Sequence, residues 1–223
     1  MARRQGAEGF ESNKKLRKQA KLSRAQETRN ERETLIIACE DEKSARLYFQ
    51  AIFVDLRKNH AIAASSLIIA KHKHTDPCGV LQDLQNHKGY DEFDHQWIVI
   101  DRDEERTNSG GHTLENFTQA ITIAKSKGIK VAYSNPCFEI WYLLHFEYRN
   151  TAIDRDELVE KLELNYQYAK NKLFAVVLNQ DLHITAIKNA QKLHNASQSA
   201  TDNPNTTVHE LVKLLNGFKS ENS

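Results

Sequence analysis

The 223-residue chain is 39% hydrophobic and 27% charged, with a net charge of only +1. That length suits one domain with a small appendage and buries about 70% of the unfolded surface, so no disulfide staple is needed. Three widely spaced cysteines, Cys39, Cys78 and Cys137, form no Cys-x-x-Cys pair and exclude a secreted disulfide scaffold, and no apolar run approaches the roughly 20 residues that cross a bilayer.

The N-terminal stretch lacks the apolar core of a signal peptide, so a cytoplasmic protein without a membrane partner is expected. Residues 1–32 hold ten Lys and Arg against four Glu, a segment charge of +6, and the remainder carries −5. A basic arm on a mildly acidic body predicts contact with a phosphate backbone. A solvated tail is the alternative, since stacking aromatics are nearly absent from it.

ETLIIAC (33–39) is a short apolar run rich in β-branched residues and predicts a buried strand. KSARLYFQAIFVDLRKN (43–59) has apolar residues at helical spacing. SSLIIAK (65–71) predicts a second strand, and Asp76 to His87 a helix opened by Asp-Pro. HQWIVID (95–101) is a third strand, LENFTQAITIAKSK (114–127) an amphipathic helix stopped by Gly128, and IKVAYS (129–134) a fourth strand. A helix is expected from just after Pro136 through CFEIWYLLHF. Helices at 154–164, 167–195 and 206–216 follow, with turn-rich SQSATDNPNTT (197–207) between the last two. Strands alternating with helices predict an α/β fold: a mostly parallel four-stranded sheet flanked by helices, with an α-helical C-terminal portion. The expected organisation is a basic arm (1–32), an α/β domain (33–150) and helices packed on it (151–223).

In open parallel sheets, sites form beyond the carboxyl ends of the strands. Strand one ends in Cys39-Glu40-Asp41-Glu42, strand three in Asp101-Arg102-Asp103-Glu104-Glu105, and strand four in Ser134-Asn135-Pro136, with Glu139 in the following helix. Acids so gathered repel one another unless a cation intervenes. Carboxylates without clustered Cys or His suit Mg²⁺ or Mn²⁺. Residues i and i+2 at a strand end point the same way, so Asp101 and Asp103 could reach one ion. The alternative is that acidic loops merely favour helix N-termini.

Other constellations carry less. His72, His74 and Cys78 have no second metal-spaced pair, which argues against zinc; a phosphate-facing role for the two histidines and a solvent-facing loop are the readings left. Cys137 and His145 sit in an apolar run and predict packed core residues. Gly110-Gly111 predicts a flexible loop, without the Gly-Lys-Ser/Thr of a P-loop, so any ATP requirement falls to a partner. Candidate nucleic-acid contacts are Arg17, Lys18, Lys21 and Arg24 in the arm, Lys43 after the first acidic turn, and Lys170 in the C-terminal helices, where a solvated helix face is the alternative.

LIIACEDEKSARLYF (35–49), WIVIDRDE (97–104), SNPCFEIWYLLHF (134–146) and NPNTTVHELVKLL (203–215) together resemble the RloB family, which includes the Toprim component of AbiL-type abortive-infection systems. The likeness runs from about residue 33 to 216, and SNPCFEIW followed by HF is its most specific piece. The resemblance implies a Toprim-like fold, a role in bacterial phage defence, often beside an ABC- or OLD-like ATPase, and Mg²⁺-dependent handling of phosphodiesters. It implies that Glu40 acts as general acid/base or metal ligand, that Asp101 and Asp103 hold Mg²⁺, and that Glu139 adds a further acid. Two positions depart from the pattern: Asp41 replaces the Gly usual after the first Glu, and Ala45 stands where relatives often carry a second acid. Two readings follow: a metal-dependent nuclease acting on DNA or on RNA such as tRNA, and a catalytically weakened regulatory subunit of an ATPase complex, with homo-oligomerisation open in both.

Overall fold

The computed structural model describes residues 33–103, 111–169, 172 and 179–220. The chain divides after Arg32 into two units. The first, which holds Arg17, Lys18, Lys21 and Arg24, lies outside the described residues, as do Glu104, Glu105 and Lys170.

The second unit is built on a sheet of β1 (Leu35–Cys39), β2 (Leu67–Ile69), β3 (His95–Asp101), β4 (Lys130–Asn135) and β5 (Asn205–Thr206). The strand order is β2-β1-β3-β4-β5, and the first four are mutually parallel. Seven helices are found among the described residues: α1 (Ala45–Asn59), α2 (Pro77–Gln85), α3 (Leu114–Ser126), α4 (Glu139–Leu143), α5 (Arg155–Tyr166), α6 (Gln180–Ala196) and α7 (Val208–Ser220). The mostly parallel sheet and the helical C-terminal part follow the sequence expectation.

The strands are apolar along their length because both faces are covered. Leu35, Ile37 and Cys39 of β1, with Trp97 and Val99 of β3, pack on the face shared by α1 and α4–α7. Ile36 and Ala38, with Ile98 and Ile100, pack on the opposite face against α2 and α3. The alternation is the two-residue strand period, and each fully buried Leu or Ile contributes about 1.5–3 kcal/mol of transfer free energy. Helix α1 buries Tyr48, Phe49, Ile52, Phe53 and Leu56, the i, i+1, i+4 stripe of one face.

The helix starts are chemically marked. Asp76 accepts from the Gly79 N–H ahead of α2, Thr113 from Asn116 ahead of α3, Asp154 from Glu157 ahead of α5, and Asn179 from Leu182 ahead of α6. Gly128, at φ 73°, ends the α3 turn in the left-handed region that glycine tolerates.

Three elements differ from expectation. The helix expected over 167–195 spans Gln180–Ala196, and residues 167–169 before it are not helical. The helix after Pro136 spans only Glu139–Leu143, and all five residues are buried. Its flanks close with tighter i→i+3 bonds, Ile140 N to Cys137 O and His145 N to Tyr142 O. The run is apolar on every side because core surrounds it on every side; His145 is fully buried there. The turn-rich 197–207 segment ends in β5, which pairs antiparallel with β4 through Ser134–Thr206 and Asn135–Asn205. Polar Asn and Thr without alternation give a strand no sequence signature.

Candidate functional site

The carboxyl ends of β1, β3 and β4 form a crest, to which the starts of α1, α4 and α5 add side chains. Glu40 continues β1: its N–H donates to Val99 O at 3.0 Å, which fixes the backbone against β3. Its side chain then turns across the end of β3, where Oε2 accepts the Asp101 N–H at 3.0 Å. Oε1 lies 3.4 Å from His112 Nδ1. His112 is itself pinned, its N–H donating to Asp103 O at 3.0 Å and its ring stacked on Phe117 with centroids 6.3 Å apart. Burial pushes the Glu40 carboxyl up, against the opposing pull of His112 and the Asp101 N–H.

Asp101 ends β3 and is 7% exposed. Burial raises its carboxyl well above the ordinary range; the charges of Glu40 and Glu139 raise it further, and Arg155 opposes them.

Glu139 is 1% exposed. Its Oε1 accepts from Ser44 Oγ and from the Tyr168 hydroxyl, both at 2.8 Å. Its Oε2 is buried and, among the described residues, has no strong hydrogen-bond donor, the nearby Cys137 thiol being a weak one. An acceptor so weakly partnered in a buried place is costly, which makes it a place where a donor or a cation would be gained. Asp41 is committed elsewhere: it accepts from the Lys43 N–H at 2.7 Å and from the Ser44 N–H at 2.8 Å, closing the turn into α1, and it shares the single Ser44 hydroxyl proton with Glu139. Asp41 is not among the described residues with positive φ, so the turn does not call on the freedom of glycine. Ala45, 2% exposed, faces the core.

Asp103, at the foot of the next loop, is ion-paired with Arg155 from the first position of α5. Burial works against the Arg155 charge, but Cys137, Asp103, Asp101 and Glu139 together hold the guanidinium protonated. Glu40, Asp101, Asp103 and Glu139 therefore share one crest and feel one another electrostatically. Lys43 is exposed on the turn after Glu40.

Among the described residues, no group of three or more His, Cys, Asp or Glu stands ready-made as a metal cage. The donor chemistry of the crest nonetheless fits a hard divalent cation. Asp101 is crowded by like charge, and Glu139 Oε2 lacks a strong donor among the described residues. Glu40, Asp101 and Glu139 could hold such an ion, and Asp103 could join them on leaving Arg155. The other sequence candidates have local roles. His72 Nδ1 lies 3.2 Å from Cys39 O, and His74 Nδ1 lies 2.7 Å from Asp83. Cys137 is fully buried, with a thiol raised well above its ordinary range by burial, then by Glu139 and Asp101, which suits a packed residue and not a nucleophile.

Sequence reasoning missed His112, Ser44, Tyr168 and Arg155. His112 directly follows Gly110-Gly111 at the far side of the loop from Asp103, the one available hint. Ser44, Tyr168 and Arg155 carry no local signal, because each reaches the crest only through tertiary packing.

The sequence model of the family described as RloB-like protein matches residues 35–215, most of the chain. No curated protein and no solved structure matches. No helix among the described residues is long and apolar enough to cross a membrane.

Proposed function

Since this chain belongs to the RloB-like protein family, we propose that it is a Toprim-type, divalent-metal-dependent nuclease that hydrolyses phosphodiesters in DNA or in RNA such as tRNA. The observation that carries this reading is the buried, like-charged pair of Asp101 and Glu139 beside Glu40 at the sheet's carboxyl crest. Charges are not gathered in that way for stability; they are gathered where a cation and a reacting group will meet them.

Mg²⁺ or Mn²⁺ held by Asp101 and Glu139, with Asp103 on leaving Arg155, would supply Lewis-acid stabilisation of charge at phosphorus. The protein's own groups do the rest. Glu40, with its carboxyl raised by burial, is suited to accept the proton of an attacking water. His112 and the Asp101 N–H hold that carboxylate in place. As the new P–O bond forms, the P–O bond to the leaving oxygen breaks, and that oxygen takes up a proton from solvent water. Ser44 and Tyr168 fix Glu139 from the opposite side. The basic residues of the arm, Arg17, Lys18, Lys21 and Arg24, with Lys43 and Lys170, would add affinity for the strand that weakens steeply with salt. The setting proposed is cytoplasmic, in anti-phage abortive infection, with an ABC- or OLD-like ATPase gating the activity.

A second reading, a regulatory subunit of that ATPase, is favoured by buried Ala45 and by the Arg155 hold on Asp103, which together leave the crest fewer open acids. The deciding experiment incubates purified protein with plasmid, single-stranded DNA and total tRNA in Mg²⁺, Mn²⁺ or EDTA, beside Asp101→Asn. Metal-dependent cutting that drops at least a hundredfold in the variant, about 3 kcal/mol of barrier, supports the nuclease. Absence of cutting both alone and with an added ABC- or OLD-like partner ATPase supports the subunit.

A further inference from the structure

A phosphodiester is an anion, and the crest is mostly acid. A strand that enters it needs a cation of the protein's own; Lys43 stands exposed on the turn after Glu40, and Arg102, between Asp101 and Asp103, is buried. Arg46 is committed to Ala70 O, Arg57 to Ala64 O and Leu67 O, and Arg149 to Thr151 O and Ala152 O. Among the described residues, Arg155 bonds no carbonyl. Its one hydrogen bond runs from a single Nη to Asp103 Oδ2, so among the described residues its Nε and second Nη meet no protein acceptor. Its side chain is 21% exposed, against 13% for Asp103.

Arginine and a carboxylate frequently meet through two parallel bonds. Here the fork is used on one side only, in a place where Asp101 and Glu139 also attract it. The rest of the fork has the shape that takes a phosphate. We propose that Arg155 is a substrate-binding residue that engages a non-bridging phosphate oxygen of the nucleic-acid strand, and that Asp103 is its resting partner when no strand is present. The proposal rests on the phosphodiester reading and deepens it. It gives the C-terminal helices a part in substrate capture, and it makes Asp103 a keeper of the arginine in the empty site.

The competing explanation is that Arg155 only neutralises Asp103 and ties α5 to the sheet. A charge-balanced cycle separates the two. Full-length wild type, Arg155→Gln, Asp103→Asn and the double variant are titrated in EDTA against a short labelled RNA strand and a short labelled DNA duplex, followed by fluorescence anisotropy, with thermal melts as fold controls. The proposal expects Arg155→Gln to bind about tenfold more weakly, and the double variant to stay about tenfold weaker than Asp103→Asn. The slope of log Kd against log salt should fall by about one phosphate contact. Should Arg155→Gln lose its melting transition, Arg155→Lys decides, since it keeps the charge and loses the fork. It should bind weaker than wild type, and equal binding overturns the proposal. If the double variant matches Asp103→Asn, the arginine is a neutralising tie, and this inference falls while the nuclease reading stands. If wild type binds neither probe, the phosphodiester reading fails and takes the inference with it.

Discussion

Two polar regions lie at the end of β4, and they are built on opposite terms. In the β4–β5 seam, Ser134, Asn205, Thr206 and Thr207 are buried, 0% to 5% exposed. Nearly every polar group there has found a partner. Ser134 Oγ lies 3.1 Å from Thr206 Oγ1, Thr207 Oγ1 accepts the Tyr133 N–H at 3.0 Å, and Asn205 donates to Ser199 O at 2.9 Å. Asn135 donates to Thr201 O at 2.8 Å and Asp202 O at 2.9 Å, and its Oδ1 is left over. A few residues away, the crest is less deeply buried, Asp101 being 7% and Glu139 1% exposed, yet its acids crowd one another and, among the described residues, Glu139 Oε2 has no strong donor. A satisfied network specifies a structure; a congested one is held in place by the rest of the fold for another purpose.

That contrast can be broken by substitution. The largest effect on stability is expected at the seam: Asn205→Ala removes the donor that serves Ser199 O and the Tyr133 hydroxyl. It should cost about 2 kcal/mol, read as a lower urea midpoint at unchanged slope. At the crest the sign should reverse. Asp101→Asn removes a charge that burial and its neighbours disfavour, so the variant should gain about 1 kcal/mol at pH 7 while losing activity. The gain should depend on pH. Because the Asp101 carboxyl is raised in the fold above 3.8, its protonated form favours the native state below that value. This contribution is lost as pH rises through the folded pKa. The advantage of the variant should therefore shrink on acidification toward the ordinary carboxylate pKa. Burial lowers His145 to about 3 and His209 to about 4 from 6.5, so both weaken the fold as pH falls below 6.5. They are common to both proteins and cancel in the difference. A difference between the melting curves that stays flat from pH 4 to pH 8 would contradict a congested Asp101. The smallest effect is expected for Tyr168→Phe. Glu139 Oε1 loses one donor but keeps its share of the Ser44 hydroxyl, so a loss of about 1 kcal/mol in urea is expected, with a shift in metal affinity larger than the shift in stability.

The strands of the sheet were legible because burial on both faces writes itself as continuous β-branched runs: LIIAC and HQWIVID became β1 and β3. The acids at their ends were legible for the same reason, since knowing where a strand stops places the next residue on the crest. What escaped was whatever depended on contacts distant in sequence. β5 is two polar residues whose strand character comes only from pairing with β4. Tyr168 reaches Glu139 from 29 residues away, and Arg155 reaches Asp103 from 52. The apolar run after Pro136 promised a longer helix than the five residues found, because full burial on all sides erases the period that measures helix length.

The order in which the crest is assembled has a bearing on how such a protein is made. The acids Glu40, Asp101, Asp103 and Glu139 are all in place by residue 139, but Arg155, Tyr168 and β5 at Asn205–Thr206 come after. A chain still emerging from the ribosome thus carries the acids before it carries their restraints. The crest is split along the chain: its acids lie between Glu40 and Glu139, and the groups that hold them, Arg155 and Tyr168, come from beyond the last of those acids.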